Sequence, residues 1–270
     1  MPLATVGGVK LYHEWHGAGP GAPLVLVTGL GGDSTAWGFQ LAAFAPGRRC
    51  LVFDNRGVGR SDAPDVPFST ADMAADLLGL LDTLDVRRAH LLGVSMGGAI
   101  VQEAALADPD RIASLQLHCT WAGPDPYFRA VVEHFKTLRR RLEHEEFLRA
   151  VGPWVFTAAC YAERPEFVEL VVQRGLGHPH PQPLHGYLRQ ADAVLGHDTR
   201  ARLGTLRCPT LVTVGTEDIL TPPRLSREVA ARIPEARLEV IPGAGHGYFW
   251  EMPRAFNAAG LTFLAVVEPS

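Results

Sequence analysis

The amino-acid sequence predicts an α/β fold in which helices cover both faces of a mostly parallel, doubly wound sheet and a helical cap is inserted between two strands. Two patterns support this prediction. Short apolar runs alternate along the chain with segments of helix length, which is typical of a parallel sheet. Residues 122–200 break the alternation and show helical patterns only. We therefore predict a core formed by residues 1–121 and 201–270 and a helical cap formed by residues 122–200.

Six apolar runs have the length of strands. They are nearly continuous in hydrophobic character, as expected for strands that are buried on both faces of a parallel sheet. The runs are PLVLVTG (23–29), RCLVFDNRG (49–57), AHLLGVS (89–95), ASLQLHC (113–119), TLVTVG (210–215) and RLEVIPG (237–243).

Three segments between these runs place apolar residues three or four positions apart, which predicts amphipathic helices. The first of them opens at Ser69 or Thr70, both suitable N-caps, and puts Asp72 and Asp76 near the positive end of the helix dipole. The segments are residues 69–85, 96–110 and 222–234.

The predicted cap is rich in aromatic residues and has no strand-like run. Its aromatic residues are Tyr127, Phe128, Phe135, Phe147, Trp154, Phe156, Tyr161 and Phe167. The three arginines at 139–141 are followed closely by three glutamates, which predicts a solvated helix face. The stretch HPHPQPLH (178–185) carries three histidines, but no acidic or cysteine ligand accompanies them, so a loop is favoured over a metal site.

The overall composition argues against several classes of partner. The 270 residues are 47% hydrophobic, which is enough for one large core. The net charge of -4 is spread without a strongly basic face, so nucleic acid and anionic membranes are not expected as partners. The sequence shows no signal-peptide pattern and no long apolar run, which predicts a cytoplasmic protein. Four widely spaced cysteines are expected to be reduced core thiols.

The segment LLGVSMGGAI (91–100) places a serine between two glycines, directly after a short apolar run. A strand that turns sharply into a helix needs small neighbours, because a Cβ at Gly93 or Gly97 would obstruct the approach of backbone and helix. Such a turn would raise Ser95 above the carboxyl edge of the sheet, at a helix N-terminus that favours developing negative charge. Alternatively, the glycines only allow tight packing, and the pattern by itself does not decide between the two interpretations.

A serine hydroxyl is a weak nucleophile near neutral pH, so catalysis requires a histidine base and an acid that orients it. Asp218 follows one later strand-like run, and His246 follows the next, among glycines. In isolation Asp218 is also a plausible helix N-cap and His246 an ordinary loop residue. Their position at strand ends, in the order Ser, Asp, His, predicts the triad Ser95, Asp218 and His246, with Glu217 as the alternative acid.

The carbonyl that such a serine attacks also needs hydrogen-bond donors for its oxyanion. The glycine-rich segment TGLGGDSTAW (28–37) follows the first strongly apolar strand and can turn N–H groups inward. We predict the backbone N–H groups of Leu30 and Met96 as the oxyanion hole, the second lying directly after the nucleophile. The alternative for the glycine-rich segment is a flexible turn without a ligand role.

Together these motifs resemble those of the α/β-hydrolase fold superfamily, over nearly the whole chain outside residues 122–200. The resemblance rests on TGLGGDSTAW (28–37), FDNRGVGRSD (53–62), GVSMGG (93–98), GTEDILTPP (215–223) and PGAGHGYFWEMP (242–253). The chain is most similar to the branch of 3-oxoadipate enol-lactonases and carboxylesterases, whose elbow commonly reads G-x-S-M-G-G. This resemblance implies hydrolysis of small esters or lactones without a cofactor or metal, and a cap at 122–200 that selects the substrate.

The chain departs from patterns of the superfamily at two positions. Many relatives have His-Gly where this chain has Thr28-Gly29, so support of the glycine-rich loop by a histidine cannot be carried over. Relatives that dehalogenate alkyl halides or open epoxides have aspartate as nucleophile, whereas this chain has Ser95. These two activities are therefore disfavoured.

We therefore predict a serine esterase or lactonase that acts on a small molecule through an acyl-enzyme on Ser95. The alternatives are hydrolysis of a carbon-carbon bond in a diketone or cofactor-free perhydrolysis with the same triad, and a ligand-binding protein without turnover. For the substrate pocket the candidates are Trp121, Trp154 and Phe156, each of which could instead fill the core. Trp37 and Trp250 are interpreted as structural. The sequence predicts no oligomeric state.

Overall fold

The sheet expected from the sequence is present, with eight strands, in the computed structural model, which describes residues 2–268. The strands are β1 (Leu3–Val6), β2 (Val9–His16), β3 (Leu24–Val27), β4 (Cys50–Phe53), β5 (Ala89–Val94), β6 (Ile112–His118), β7 (Thr210–Gly215) and β8 (Arg237–Ile241). Their order in the sheet is β1-β2-β4-β3-β5-β6-β7-β8. The strands from β4 to β8 are parallel, and β1 and β2 pair antiparallel at one edge. The prediction of a mostly parallel sheet is confirmed.

Eleven α-helices connect or flank these strands within residues 2–268. Those outside the predicted cap are α1 (Gly38–Phe44), α2 (Thr70–Thr83), α3 (Met96–Ala107), α9 (Pro223–Arg232), α10 (Tyr248–Glu251) and α11 (Pro253–Val267). Of the two candidate caps of α2, Ser69 is the N-cap. Its hydroxyl accepts a hydrogen bond from the N–H of Asp72, and the carboxylate of Asp72 accepts one from the N–H of Ser69. None of the helices in the described part of the chain has the length and apolar character that spanning a bilayer requires.

The hairpin of β1 and β2 was not predicted. Its turn is formed by Gly7 and Gly8, both with positive φ (54° and 83°), as a two-residue hairpin turn requires. The signal was present in the sequence, because Gly-Gly between two short runs is a pattern typical of a hairpin.

Both faces of the sheet are buried under helices, which explains the continuous apolar runs. Along β3, Val25 and Val27 belong to a core that includes residues of α2, α3 and α9. Leu24 and Leu26 belong to a second core, on the other face, that includes residues of α1 and α11. Every position of β3 is therefore buried and apolar.

Five helices lie between β6 and β7, where the sequence shows only helical patterns. They are α4 (Pro126–Arg141), α5 (His144–Val155), α6 (Ala158–Glu163), α7 (Pro165–Leu176) and α8 (Leu184–Gly196), and we call residues 126–196 the helical insertion. The N–H of Thr199 donates to the carbonyl of Ala122 at 2.7 Å, which ties the two ends of this segment together. The chain therefore enters and leaves the helical insertion at neighbouring points.

Candidate active site

The three predicted triad residues lie on loops at one edge of the sheet. Ser95 follows β5, Asp218 follows β7 and His246 follows β8, and the carboxyl ends of these parallel strands meet at this edge. Ser95 and His246 line one cavity of about 1110 Å³ between the sheet and the helical insertion. Open parallel sheets bind ligands at this edge.

The turn at Ser95 is strained, and its glycines are required by close contacts. Ser95 has φ +57°, in the left-handed region that non-glycine residues rarely adopt. A Cβ at Gly93 would overlap the carbonyl of Gly97, and a Cβ at Gly97 would overlap the carbonyl of Val27. Ser95 is thereby held directly before the first turn of α3, where the helix dipole favours negative charge.

Asp218 holds His246 through a charge-assisted hydrogen bond. Nδ1 of His246 lies 2.9 Å from Oδ2 of Asp218. The other carboxylate oxygen accepts from the backbone N–H groups of Leu220 (3.0 Å) and Thr221 (2.8 Å), so that the acid is fixed by the turn in which it lies. Glu217, the alternative acid, is exposed and makes no contact with the imidazole in the described residues. In the tautomer with its proton on Nδ1, the imidazole donates to Asp218 and Nε2 can accept a proton.

The hydroxyl of Ser95 and the imidazole of His246 are not joined by a hydrogen bond among the described residues. Both nevertheless line the same cavity, and both are largely buried, with 8% and 7% of their surface exposed. Hydrogen bonds of this kind are often long before the substrate binds.

Two neighbours of the acid were missed in the sequence. Oγ1 of Thr221 lies 2.8 Å from Asp218 Oδ2 and 3.0 Å from His246 Nδ1, and a threonine three residues after the acid was a recognisable signal. Cys119 adjoins the same two side chains, and the three groups cluster closely enough to suggest a metal site. Burial and the nearby Asp218 carboxylate raise the pKa of the Cys119 thiol well above its ordinary value. A thiol that stays protonated is a poor metal ligand.

The glycine-rich loop after β3, residues 28–33, lies against the nucleophile, and we call it the oxyanion loop. A Cβ at Gly29 would lie 3.0 Å from the Cβ of Ser95. The N–H groups of Leu30 and Met96 donate no hydrogen bond within residues 2–268. Thr28, where many relatives have histidine, donates from Oγ1 to the carbonyl of Gly32 at 2.8 Å. The loop is thus closed by its own threonine, and both predicted donors are available to a ligand.

The helical insertion contributes a mostly apolar wall to the cavity. Its apolar lining residues include Phe128, Val132, Phe135, Phe147, Val151, Phe156, Tyr187 and Val194. Two of the three predicted pocket residues, Trp121 and Phe156, line the cavity. Trp154 does not, because its ring packs edge-on against Phe135 at 5.3 Å and fills the contact between α5 and α4.

One interpretation of the sequence needs correction at this wall. Trp37 and Trp250, which we interpreted as structural, do pack in the core below the cavity, and Nε1 of Trp250 donates to the carbonyl of Ala36 at 2.9 Å, although both residues also border the cavity. Arg139, expected on a solvated helix face, also lines it, and its guanidinium lies over the Phe147 ring at 5.4 Å. Arg140 and Arg141 are exposed as expected. A short run of charged residues in the sequence therefore does not show which of its side chains face the solvent.

The histidine-rich stretch after α7 contacts the oxyanion loop. Nε2 of His178 lies 2.9 Å from Oδ2 of Asp33, the last residue of that loop. The side chain of His185 lies 2.9 Å from the carbonyl of Ala63. Two of the three histidines in this stretch therefore have partners in the core.

The chain is similar to known proteins over nearly its whole length. A family model described as alpha/beta hydrolase fold matches residues 22–253. A protein of Caulobacter sp. (strain K31) with the provisional name carbamate hydrolase RutD is 34% identical over 270 residues, 98% of each chain. The solved enol-lactonase of Burkholderia xenovorans LB400 is 31% identical with a TM-score of 0.88, over 98% of this chain and 100% of the other. A solved thermophilic esterase of Thermogutta terrifontis is 30% identical with a TM-score of 0.86, over 98% of both chains.

Proposed function

Because this chain is a hydrolase that belongs to the α/β-hydrolase fold family, we propose that it cleaves a small carboxylic ester or lactone through an acyl-enzyme on Ser95. One observation carries the proposal: His246, hydrogen-bonded to Asp218 at 2.9 Å, lines the same cavity as Ser95. This arrangement combines a nucleophile, a base and an orienting acid at one point.

In the first step, Oγ of Ser95 attacks the substrate carbonyl while Nε2 of His246 accepts the hydroxyl proton. The imidazolium that forms is stabilised by the Asp218 carboxylate, which the backbone N–H groups of its own turn hold in place.

Charge that develops on the carbonyl oxygen is bound by the backbone N–H groups of Leu30 and Met96. The tetrahedral intermediate collapses when His246 returns its proton to the leaving alcohol or to the ring oxygen of a lactone. Water, deprotonated by His246, then attacks the acyl group. The bond between the acyl carbon and Oγ of Ser95 breaks, His246 returns the proton to Oγ, and the acid is released.

The cavity favours a substrate with an apolar body. Its wall is formed mainly by aromatic and branched aliphatic side chains, and a volume of about 1110 Å³ exceeds what a very small ester needs. The provisional name of the Caulobacter relative makes a carbamate the main competing substrate, since carbamates also react at a carbonyl. We place esters and lactones first because two solved relatives at 30% identity or more are an enol-lactonase and an esterase.

The proposal is tested by hydrolysis of p-nitrophenyl esters of graded acyl length, of lactones of graded ring size, and of an aryl carbamate. We expect wild-type protein to cleave esters and Ser95→Ala to lose roughly 10³-fold or more of the rate. Ser114→Ala is the matched control, since Ser114 is a buried serine of β6 that contacts His90 instead of the cavity. A fluorophosphonate should label the folded wild-type protein at Ser95.

Several outcomes would contradict the proposal. Equal ester hydrolysis by wild type and Ser95→Ala would remove the role of the serine. A carbamate cleaved much faster than every ester would replace the substrate class but keep the triad. Turnover of a diketone alone would favour carbon-carbon hydrolysis, and oxidation of a halide with peroxide and a short acid would favour perhydrolysis. Failure of the fluorophosphonate to label folded protein would favour a ligand-binding protein without turnover.

A further inference from the structure

A buried glutamine joins the helical insertion to the oxyanion loop. Gln190 lies in α8 and has no exposed surface (0%). Its Oε1 accepts from the N–H of Gly31 at 3.2 Å and from Nε2 of Gln182 at 2.9 Å. Its Nε2 donates to the carbonyl of Arg56 at 2.8 Å. Because Oε1 meets two donors and Nε2 meets a carbonyl, these partners fix which way the amide is turned.

The helix that carries Gln190 is itself held firmly against the core. A Cβ at Gly186, one turn earlier in α8, would overlap the carbonyl of Gly57, so the two backbones are in direct contact. The loop on the core side is anchored by Arg56, whose guanidinium forms two hydrogen bonds with Asp76, at 2.5 and 2.7 Å. The amide of Gln190 is therefore a fixed point for whatever it binds.

The group that it binds is the central peptide of a turn. The N–H of Gly32 donates to the carbonyl of Gly29 at 3.1 Å, so residues 29–32 form a β-turn with Leu30 and Gly31 at its centre. Gly31 has φ +77°, the value that the third residue of a type II turn requires. Rotation of the Leu30–Gly31 peptide would convert such a turn to type I. The rotated peptide would bring the carbonyl of Leu30 towards Gln190 Oε1, and two acceptors repel each other.

We propose that Gln190 is a positioning residue for the oxyanion hole. It selects one orientation of the Leu30–Gly31 peptide and thereby holds Leu30, whose own N–H donates to the oxyanion, in register with Ser95. The inference rests on the proposed function, because it concerns the donor that the acyl transfer uses. It also gives the helical insertion a part in catalysis beyond forming a wall: α8 supplies the acceptor that orders the loop.

The test compares oxygen and sulfur at the reacting carbonyl. A thionoester develops its negative charge on sulfur, which accepts hydrogen bonds more weakly and lies farther from carbon, so an ordered oxyanion hole favours the oxygen ester. We expect Gln190→Leu to lower kcat for the ester by about tenfold or more with little change in KM, and to lower the thionoester rate much less. The ratio of the ester rate to the thionoester rate should therefore fall. A variant that is only less well folded would lose both rates in equal proportion.

Two further variants distinguish a positioning role of Gln190 from a role in packing alone. Gln190→Glu keeps an acceptor for the N–H of Gly31 and should retain most of the wild-type rate ratio even though its bond to Arg56 is lost. Gln173→Leu is the matched control, because Gln173 is an exposed glutamine of α7 that contacts only Glu169. It should leave both rates unchanged.

The outcomes distinguish this inference from the proposed function. If wild type hydrolyses esters but folded Gln190→Leu keeps the wild-type rate ratio, the positioning role is wrong and the proposed function stands. If Gln190→Glu loses the ratio as completely as Gln190→Leu, the acceptor is not what orders the loop. If wild type hydrolyses neither ester nor thionoester, the proposed function fails and the catalytic role of Gln190 fails with it.

Discussion

The sheet edge below the cavity and the helical insertion above it are specified by different kinds of information. Below, single residues are fixed by backbone contacts: Gly97 has no room for a Cβ, and Asp218 accepts from N–H groups of its own turn. Above, aromatic side chains meet edge-on, such as Phe147 with Tyr187 at 5.2 Å and Phe156 with Phe167 at 6.0 Å. The first region admits few residue types at each position. Outside α8, where Gly186 also has no room for a Cβ, the second requires mainly apolar volume that many residue types could supply.

The largest expected effect is a loss of catalytic rate when Asp218, the acid at the sheet edge, is changed. Asp218→Asn keeps the shape of the side chain but cannot hold the Nδ1 proton of His246, so the imidazole loses the tautomer that accepts the serine proton. We expect kcat for a p-nitrophenyl ester to fall by roughly 10⁴-fold. Glu217→Gln, the neighbouring and exposed acid, is the matched control and should retain full activity. Similar losses in the two variants would show that the acid has been misassigned.

The next largest effect should appear in folding stability. Gly97→Ala would drive a Cβ into the carbonyl of Val27 and should reduce the free energy of unfolding by roughly 3 kcal/mol or more, if the variant folds at all. Gly196→Ala, at the end of α8, is the matched change above the cavity. No heavy atom lies within 4 Å of the added methyl there, and we expect little change or a gain of about 0.5 kcal/mol. Denaturant unfolding of both variants would measure the contrast, and equal losses would erase the distinction between the two regions.

This contrast explains how much could be predicted from the sequence. The strand ends, Ser95 and its glycines, and the order of Asp218 and His246 were readable because each depends on local geometry that few residues satisfy. The alternation of strands and helices also predicted a mostly parallel sheet, but it did not predict the order of the strands, which includes the antiparallel hairpin of β1 and β2.

The parts that were missed depend on contacts between distant segments. Whether Trp154 or Trp250 lines the cavity is decided by the packing of α5 on α4 and on α10, which no periodicity encodes. Arg139 and Gln190 are ordinary helix residues in the sequence, and only their tertiary partners distinguish them. Because position 28 is threonine and not histidine, the sequence indicated that a support of the oxyanion loop found in many relatives cannot be carried over. It gave no indication that Gln190 contacts this loop.

A smaller effect on the pH dependence of folding stability is expected from two buried histidines, one in the sheet and one at the base of the helical insertion. Burial lowers the pKa of His118, in β6, to about 3 and that of His197, at the base of the insertion, to about 4. Unfolded histidine titrates near 6.5, so below that pH the unfolded chain binds protons that the folded chain does not. Stability is therefore complete above pH 6.5 and falls as the pH drops towards the folded pKa, by about 2 kcal/mol for each histidine at pH 5.

Denaturant unfolding at pH 7 and pH 5 would measure this loss, and His118→Gln and His197→Gln should each flatten the dependence. His13 and His90 also have pKa values lowered by burial and would add to the wild-type slope. A pH dependence that neither variant changes would show that both histidines are protonated in the folded protein at pH 5.

The smallest expected effect concerns substrate binding at the upper wall. Phe156 lines the cavity, whereas Trp154, two residues earlier, packs outside it against Phe135. Phe156→Leu should raise KM for the longest p-nitrophenyl ester that wild type accepts by about fivefold, near 1 kcal/mol, with little change for the acetate ester. Trp154→Leu removes more apolar surface yet should alter stability instead of KM. Because the two residues lie in the same segment, a larger KM change in Trp154→Leu would mean that substrate reaches the contact between α4 and α5. The upper wall would then be mobile enough to admit ligands where the structure shows packed side chains, and the contrast with the fixed sheet edge would be sharper still.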